Sequence, residues 1–175
     1  HTEGDGSPLL YSTGQISASG VTGEAKDSEV VVVEGKNSAT LTDSTVTSNG
    51  KKAVMLYQSF SGDAHDKEST ATRSTFTMTN TKLTANGADA VLYATNTTTS
   101  ATLTNVEVTS SASVGVKADE DRWGKTGSNG ATLHLTLDGT TITGGATAGS
   151  SSAITIASAN GGTVEGEVSG SVTNS

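Results

Sequence analysis

Short stretches of strict alternation between apolar and hydroxyl residues run through the chain. They include Thr40-Leu41-Thr42, Thr75-Phe76-Thr77-Met78-Thr79, Thr102-Leu103-Thr104 and Thr132-Leu133-His134-Leu135-Thr136-Leu137. A period of two is the mark of a strand with one buried face, here with an outward side rich in Thr. The alternating stretches belong to a repeat in which an apolar residue, four spacers, a second apolar residue and Thr follow one another. Its copies are Ile16/Val21/Thr22, Leu41/Val46/Thr47, Met78/Leu83/Thr84, Leu103/Val108/Thr109 and Leu137/Ile142/Thr143, and they begin 25, 37, 25 and 34 residues apart. A second arm precedes each copy and places Tyr11, Val33, Tyr57, Tyr93 and Val116 at intervals of 22, 24, 36 and 23. Both registers give a basic period of about 22 to 25 residues interrupted by two insertions. The pattern predicts that Leu41, Val46, Met78, Leu83, Leu103, Val108, Leu137 and Ile142 point inward in two stacked columns.

A period of this length fits leucine-rich repeats, β-solenoids or irregular β arrays. The chain lacks the regular Leu of the first, and its Thr, Ser, Gly and Asn disfavour helix interiors. The expectation is an all-β, right-handed parallel β-helix of about 6–7 coils with two loop insertions, occupying residues 1–175 as one domain. Asn49-Gly50, Asn86-Gly87, Asn129-Gly130 and Asp138-Gly139 are expected to be its turns. Pro8 lies near the start, where it disturbs no ladder.

Composition sharpens this picture. Hydrophobic residues make up 32% and aromatics 3%, against 31 Thr and 24 Ser. Low hydrophobicity can signal disorder, but the charged fraction is a modest 16% and the apolar residues gather at Val30–Val33, Val54–Tyr57 and Val91–Tyr93. A narrow solenoid interior explains the scarcity of large rings. The net charge of -8 argues against nucleic acid as a partner, because that affinity rests on Lys and Arg at phosphates. The lack of Cys rules out disulfides, zinc-thiolate sites and a catalytic thiol. No apolar run reaches the roughly 20 residues of a membrane-spanning helix, so membrane insertion is not expected.

Several segments resemble the right-handed parallel β-helix repeat proteins of bacterial surfaces, adhesin-like members of the broad pectate-lyase-like superfamily. They are Gly6-Ser7-Pro8-Leu9-Leu10-Tyr11-Ser12-Thr13-Gly14, Val32-Val33-Glu34-Gly35-Lys36-Asn37-Ser38, Val54-Met55-Leu56-Tyr57-Gln58-Ser59-Phe60-Ser61-Gly62, and Arg122-Trp123-Gly124 leading to Gly127-Ser128-Asn129-Gly130. The resemblance covers most of the chain and implies the fold and a secreted or cell-surface location. It is nearly silent about activity. Neither end carries a cap helix, so either flanking sequence caps the solenoid or copies associate end to end.

The chemistry gathers in the insertions, 61–73 and 119–130. Both fall between the same two arms, so they should leave one corner on either side of a single coil, about 10 Å apart at ~4.8 Å per coil. The first carries Asp63, His65, Asp66, Lys67, Glu68 and Arg73; the second carries Asp119, Glu120, Asp121, Arg122, the only Trp, Trp123, and Lys125. An aromatic face beside carboxylates and cations suits sugar, and Trp123, Arg122, Arg73, His65 and Asp121 are the candidate ligand-binding residues. Clustered carboxylate oxygens suit Ca²⁺, with Asp63, Asp66, Asp119 and Asp121 as its candidate ligands. The plainer reading is a pair of solvated loops, with Trp123 tucked over the solenoid flank and Arg122 stacked on it or paired with an acid.

Catalysis is not expected. Polysaccharide lyases of this fold use Ca²⁺ carboxylates with an Arg or Lys base, and glycosidases need two carboxylates at a set separation. Here no carboxylate cluster sits on a strand, where it would be held rigidly. His134 occupies an outward position of an alternating strand. Ordered Thr-x-Thr arrays raise ice binding as an alternative, with Lys82, Glu107 and His134 expected to interrupt them. The sequence thus predicts a non-catalytic, extracellular adhesive or structural module with a glycan or surface partner. A self-assembling filament or stalk subunit, a polysaccharide-active enzyme and an ice-binding protein are the alternatives.

Overall fold

The computed structural model describes residues 1–59, 73–87, 89–123 and 129–175. Among the described residues twenty strands wind into a parallel β-helix and there is no helix, hence none long and apolar enough to cross a membrane. The first sheet stacks β1 (Leu10–Ser12), β4 (Val31–Glu34), β7 (Lys52–Tyr57), β10 (Ala90–Thr95), β13 (Val114–Ala118), β16 (Ala146–Ala148) and β19 (Val168–Ser169). The second stacks β2 (Gln15–Ser19), β5 (Ser38–Thr42), β8 (Arg73–Thr79), β11 (Thr98–Thr104), β14 (Thr132–Asp138), β17 (Ala153–Ala159) and β20 (Val172–Asn174). The third side holds β3 (Thr22–Ala25), β6 (Thr45–Ser48), β9 (Lys82–Ala85) and β12 (Glu107–Ser110), followed by the separate pair β15 (Thr141–Thr143) and β18 (Thr163–Glu165). Six three-strand coils and a partial seventh result, as the repeat predicts.

Side chains of paired strands meet their equivalents in the next coil, so the core consists of columns. In the second sheet Leu41, Met78, Leu103 and Leu137 share one column and Ala39, Phe76, Ala101, Leu135 and Ile156 share the next. Phe76 fits the narrow interior because Ala39 and Ala101 flank it above and below. Seven of the eight predicted inward residues are buried, and Val108 is partly buried against the same core. Truncating Leu103, which is 2% exposed between Met78 and Leu137, is expected to cost about 2–5 kcal/mol in Leu103→Ala. Chemical denaturation measures this; a cost below about 1 kcal/mol would mean the column is not close-packed.

Two registers differ from the sequence reading. The first repeat copy is displaced by two residues, since Ala18 rather than Ile16 aligns with Leu41, and Gly23 rather than Val21 aligns with Val46. A shift of two preserves the buried face, so alternation does not detect it. The second arm is not one column either. Tyr11 aligns with Val32, Met55, Tyr93 and Lys117, whereas Val33 aligns with Leu56, Tyr57 with Glu34 and Thr95, and Val116 with Leu92. Strands β4 and β7 are buried nearly throughout, so they do not alternate.

The corners explain the turn residues. Between the second and third sheets each coil turns through a left-handed residue: Gly20, Asp43, Asn80, Asn105, Gly139 and Asn160 in succession, the last followed by a second one at Gly161. Lone Asn and Asp tolerate this conformation, so only Asp138-Gly139 of the expected pairs serves there. Asn49-Gly50 and Asn86-Gly87 turn the chain from the third sheet to the first, where Asn86 Nδ2 donates to Asn49 Oδ1 at 2.7 Å. Asn129-Gly130 leads into β14.

The long connections run from β7 to β8 and from β13 to β14, while β10 and β11 are joined by Asn96 and Thr97 alone. Both insertions therefore leave the same corner, on either side of one coil, as the period arithmetic predicts. The outer face of the second sheet repeats in three columns: Ser38, Thr75 and Ser100; Thr40, Thr77 and Thr102; Thr42, Thr79 and Thr104. Lys82 and Glu107 do not interrupt it. They lie on the third sheet, where they pair at 3.2 Å. His134 does continue the Thr75–Ser100 column, exposed, as expected for a solvated ladder position.

Candidate functional site: an aromatic groove on the first sheet

Strands β4, β7 and β10 turn Val32, Met55, Tyr57 and Tyr93 away from the core, forming a second apolar cluster on the outside of the solenoid. Such a cluster needs a cover, and the second insertion supplies part of it. From Ala118 the chain doubles back over the first sheet. Tyr93 donates its hydroxyl to Asp121 Oδ2 at 3.0 Å. Trp123 reaches two coils back to Tyr57, with ring centroids 5.0 Å apart and the planes tilted by 53°. Arg122 lies over the indole, its guanidinium carbon 4.6 Å from the ring centroid. The tucked Trp with a stacked Arg is thus what the described part of this loop adopts.

Beneath the aromatic wall lies a buried carboxylate. Glu34 closes β4 at 7% exposure and accepts hydrogen bonds from the Tyr11 hydroxyl and from Ser59 Oγ. Tyr57 donates in turn to the Tyr11 hydroxyl at 2.7 Å. This bridge links coils one, two and three on their outer side and fixes Tyr57 under Trp123. Burial, reinforced by Glu34, pushes the Tyr11 hydroxyl up to about 12. Tyr57 is raised as well, by burial first and then by its bond to Tyr11, and Tyr93 by burial first and then by the Asp121 charge. Tyr93 also carries Lys52 over its ring at 4.4 Å and Lys117 at 5.8 Å, and Asp89 pairs with both at 4.0 and 3.5 Å.

These elements enclose a groove of about 690 Å³ on the outside of the first sheet. Val32 and Met55 form its base, and Tyr11, Tyr57 and Trp123 give it aromatic faces. Asp5, Gly6 and Pro8 line it from the N-terminal segment. The turns ahead of the strands add Asp27, Glu29, Lys51 and Asp89, the first residue of β7 adds Lys52, and Asp121 and Arg122 come from the doubled-back loop. The groove thus combines an apolar base, aromatic faces and a few charged hydrogen-bonding groups.

Three of the five predicted ligand-binding residues, Trp123, Arg122 and Asp121, meet in this groove. Arg73 opens β8 on the second sheet, exposed and apart from the groove lining. His65, Asp63 and Asp66 lie outside the described residues. Asp119 faces Lys117 at 3.9 Å and accepts the Glu120 N–H, and Asp121 accepts from Tyr93 and from the Arg122 N–H. Among the described residues no group of three or more His, Asp or Glu is placed to hold a metal. Tyr11, Glu34, Tyr57 and Lys52 were missed by loop composition. For Glu34 and Tyr57 the signal is the unbroken apolar runs Val30–Val33 and Val54–Tyr57 that they end, which a sheet solvated on one side does not carry; Tyr11 and Lys52 lie in neither run.

No family model matches the chain, nor does any curated protein or solved structure.

Proposed function

We propose that this chain is a non-catalytic, extracellular β-helix module that binds carbohydrate along the groove of its first sheet. The carrying observation is the convergence of Tyr11, Tyr57 and Trp123 with charged hydrogen-bonding groups around one cleft. Sugar rings present apolar C–H faces that stack on aromatic rings and hydroxyl edges that hydrogen-bond to carboxylates, ammonium and guanidinium groups. The cleft is lined from coils one to four, about 14 Å at the coil spacing, which suits a short run of an oligosaccharide rather than a single ring. The rings are held before any ligand arrives, Tyr57 by the Glu34 bridge and Trp123 by Tyr57, so little side-chain ordering opposes binding. The surface location rests on the resemblance to bacterial surface β-helix proteins.

A glycan array followed by titration of the single Trp fluorescence tests this. Binding is expected to shift the emission of Trp123, and Trp123→Ala is expected to weaken it at least tenfold, in the range of a central aromatic contact. Arg73→Ala, on another sheet, leaves it unchanged. An array with no bound glycan, or a Trp123→Ala protein that binds as wild type does, overturns the reading.

A further inference from the structure

The outer face of the second sheet has no role in the groove, and its composition is unlike that of any other surface of the molecule. On β5, β8 and β11 ten of the eleven outward positions are hydroxyl residues, with Arg73 the exception, and nine of them form a block of three on each strand, seven Thr and two Ser in total. β14 continues the middle column with Thr136. Charge appears only around the margin, at Arg73, His134 and Asp138. Among the described residues, none of these nine side chains hydrogen-bonds within the protein, so each hydroxyl is offered to solvent.

We propose that this face binds ice. Thr presents a hydroxyl and a methyl group together on a side chain that is stiff about its first torsion, so a parallel in-register sheet turns it into a fixed two-dimensional array. The hydroxyls continue a hydrogen-bonded water network, and the methyls exclude unordered water between them. In tetrahedral water with O···O contacts of about 2.75 Å, second neighbours lie about 4.5 Å apart, close to the ~4.8 Å between stacked strands. Along a strand, alternate residues are about 6.6 Å apart, against about 7.3 Å for the matching layer repeat of the same tetrahedral lattice. The mismatch grows to about 1.4 Å over three positions, within reach of rotating hydroxyls. Lys or Glu in the array would hold its own hydration shell and break this register. The third sheet carries such a pair, Lys82 and Glu107, and the nine-residue patch carries none.

A freezing assay on the whole chain at millimolar concentration, read as thermal hysteresis and as inhibition of ice recrystallisation, decides the matter. Both activities are expected in the wild type. Thr77→Lys and Thr102→Lys, neighbours in the middle column, are each expected to abolish the hysteresis. Thr47→Lys and Thr109→Lys on the third sheet, and Trp123→Ala in the groove, keep it. All five sites lie outside the core, so melting curves near the wild-type value confirm the fold of each variant. A wild-type protein without hysteresis or ice shaping overturns the proposal, as does equal loss in the third-sheet controls. The outcome is independent of glycan binding, which uses another sheet.

Discussion

Gly87→Ala is expected to destabilise the protein by about 3 kcal/mol, lowering the melting temperature of a chain this size by roughly 6–12 °C. The added methyl would overlap the Gly50 carbonyl oxygen and stand 2.7 Å from its carbon and 2.9 Å from the Lys51 carbonyl carbon. All three atoms are backbone, so no side chain can swing away. Gly50 is closed in likewise, with the Ser28 backbone 2.5 to 2.7 Å from its own would-be methyl. Coils two and three touch through bare backbone at this corner. Relief requires them to part, which stretches the β6–β9 and β7–β10 ladders that start and end there. Gly14→Ala is the control, because its methyl would meet nothing within 4 Å. It is expected to be neutral or slightly stabilising, through the lower entropy of the unfolded chain. A Gly87→Ala protein that melts with the wild type would show that the coils separate easily here.

This corner also shows what the sequence carries and what it does not. Asn86-Gly87 reads as a turn, and it is one. That its Gly is required by the coil beneath, not by its own backbone angles, is a property of stacking that local pattern does not contain. The second sheet is legible almost residue by residue, because one face is dry and the other wet. Leu41, Met78, Leu103 and Leu137 align as their alternation predicts. The first sheet is not legible in this way, because its strands are covered on both sides and lose the alternation that would set the register.

The candidate site divides along the same line. Period arithmetic places both insertions at one corner, and their composition marks Asp121, Arg122 and Trp123. Nothing in that arithmetic says the loop doubles back over Tyr93 and Tyr57, since the direction is set by an apolar cluster that exists only after the coils have stacked. The groove is a product of tertiary packing. Tyr11 and Tyr57 enter it from strands of the first sheet, tied together by Glu34, and nothing in the sequence of those strands marks them as a site.

The tyrosines give the second large effect. The chain has three, Tyr11, Tyr57 and Tyr93, and all three hold their protons more tightly than tyrosine in water. In the unfolded chain each releases its proton near pH 10. Folded-state values raised above that add stability that is fully present below pH 10 and is lost as the pH climbs through the raised values, because only the unfolded chain can then shed its protons freely. For Tyr11 that window runs from 10 to about 12. Tyrosinate absorbance near 295 nm is therefore expected to show no group titrating at the ordinary value. It should instead rise steeply above pH 11, together with the loss of β-sheet circular dichroism, as unfolding frees Tyr57 and Tyr93. Glu34→Gln removes a negative charge from beside Tyr11 and Tyr57 and is expected to bring the first ionisation to lower pH, with Tyr93 unaffected. In folded Tyr93→Phe, which leaves only Tyr11 and Tyr57, a tyrosine ionising near pH 10 would mean that the Tyr11–Glu34–Tyr57 bridge is open in solution, and with it the aromatic wall of the groove.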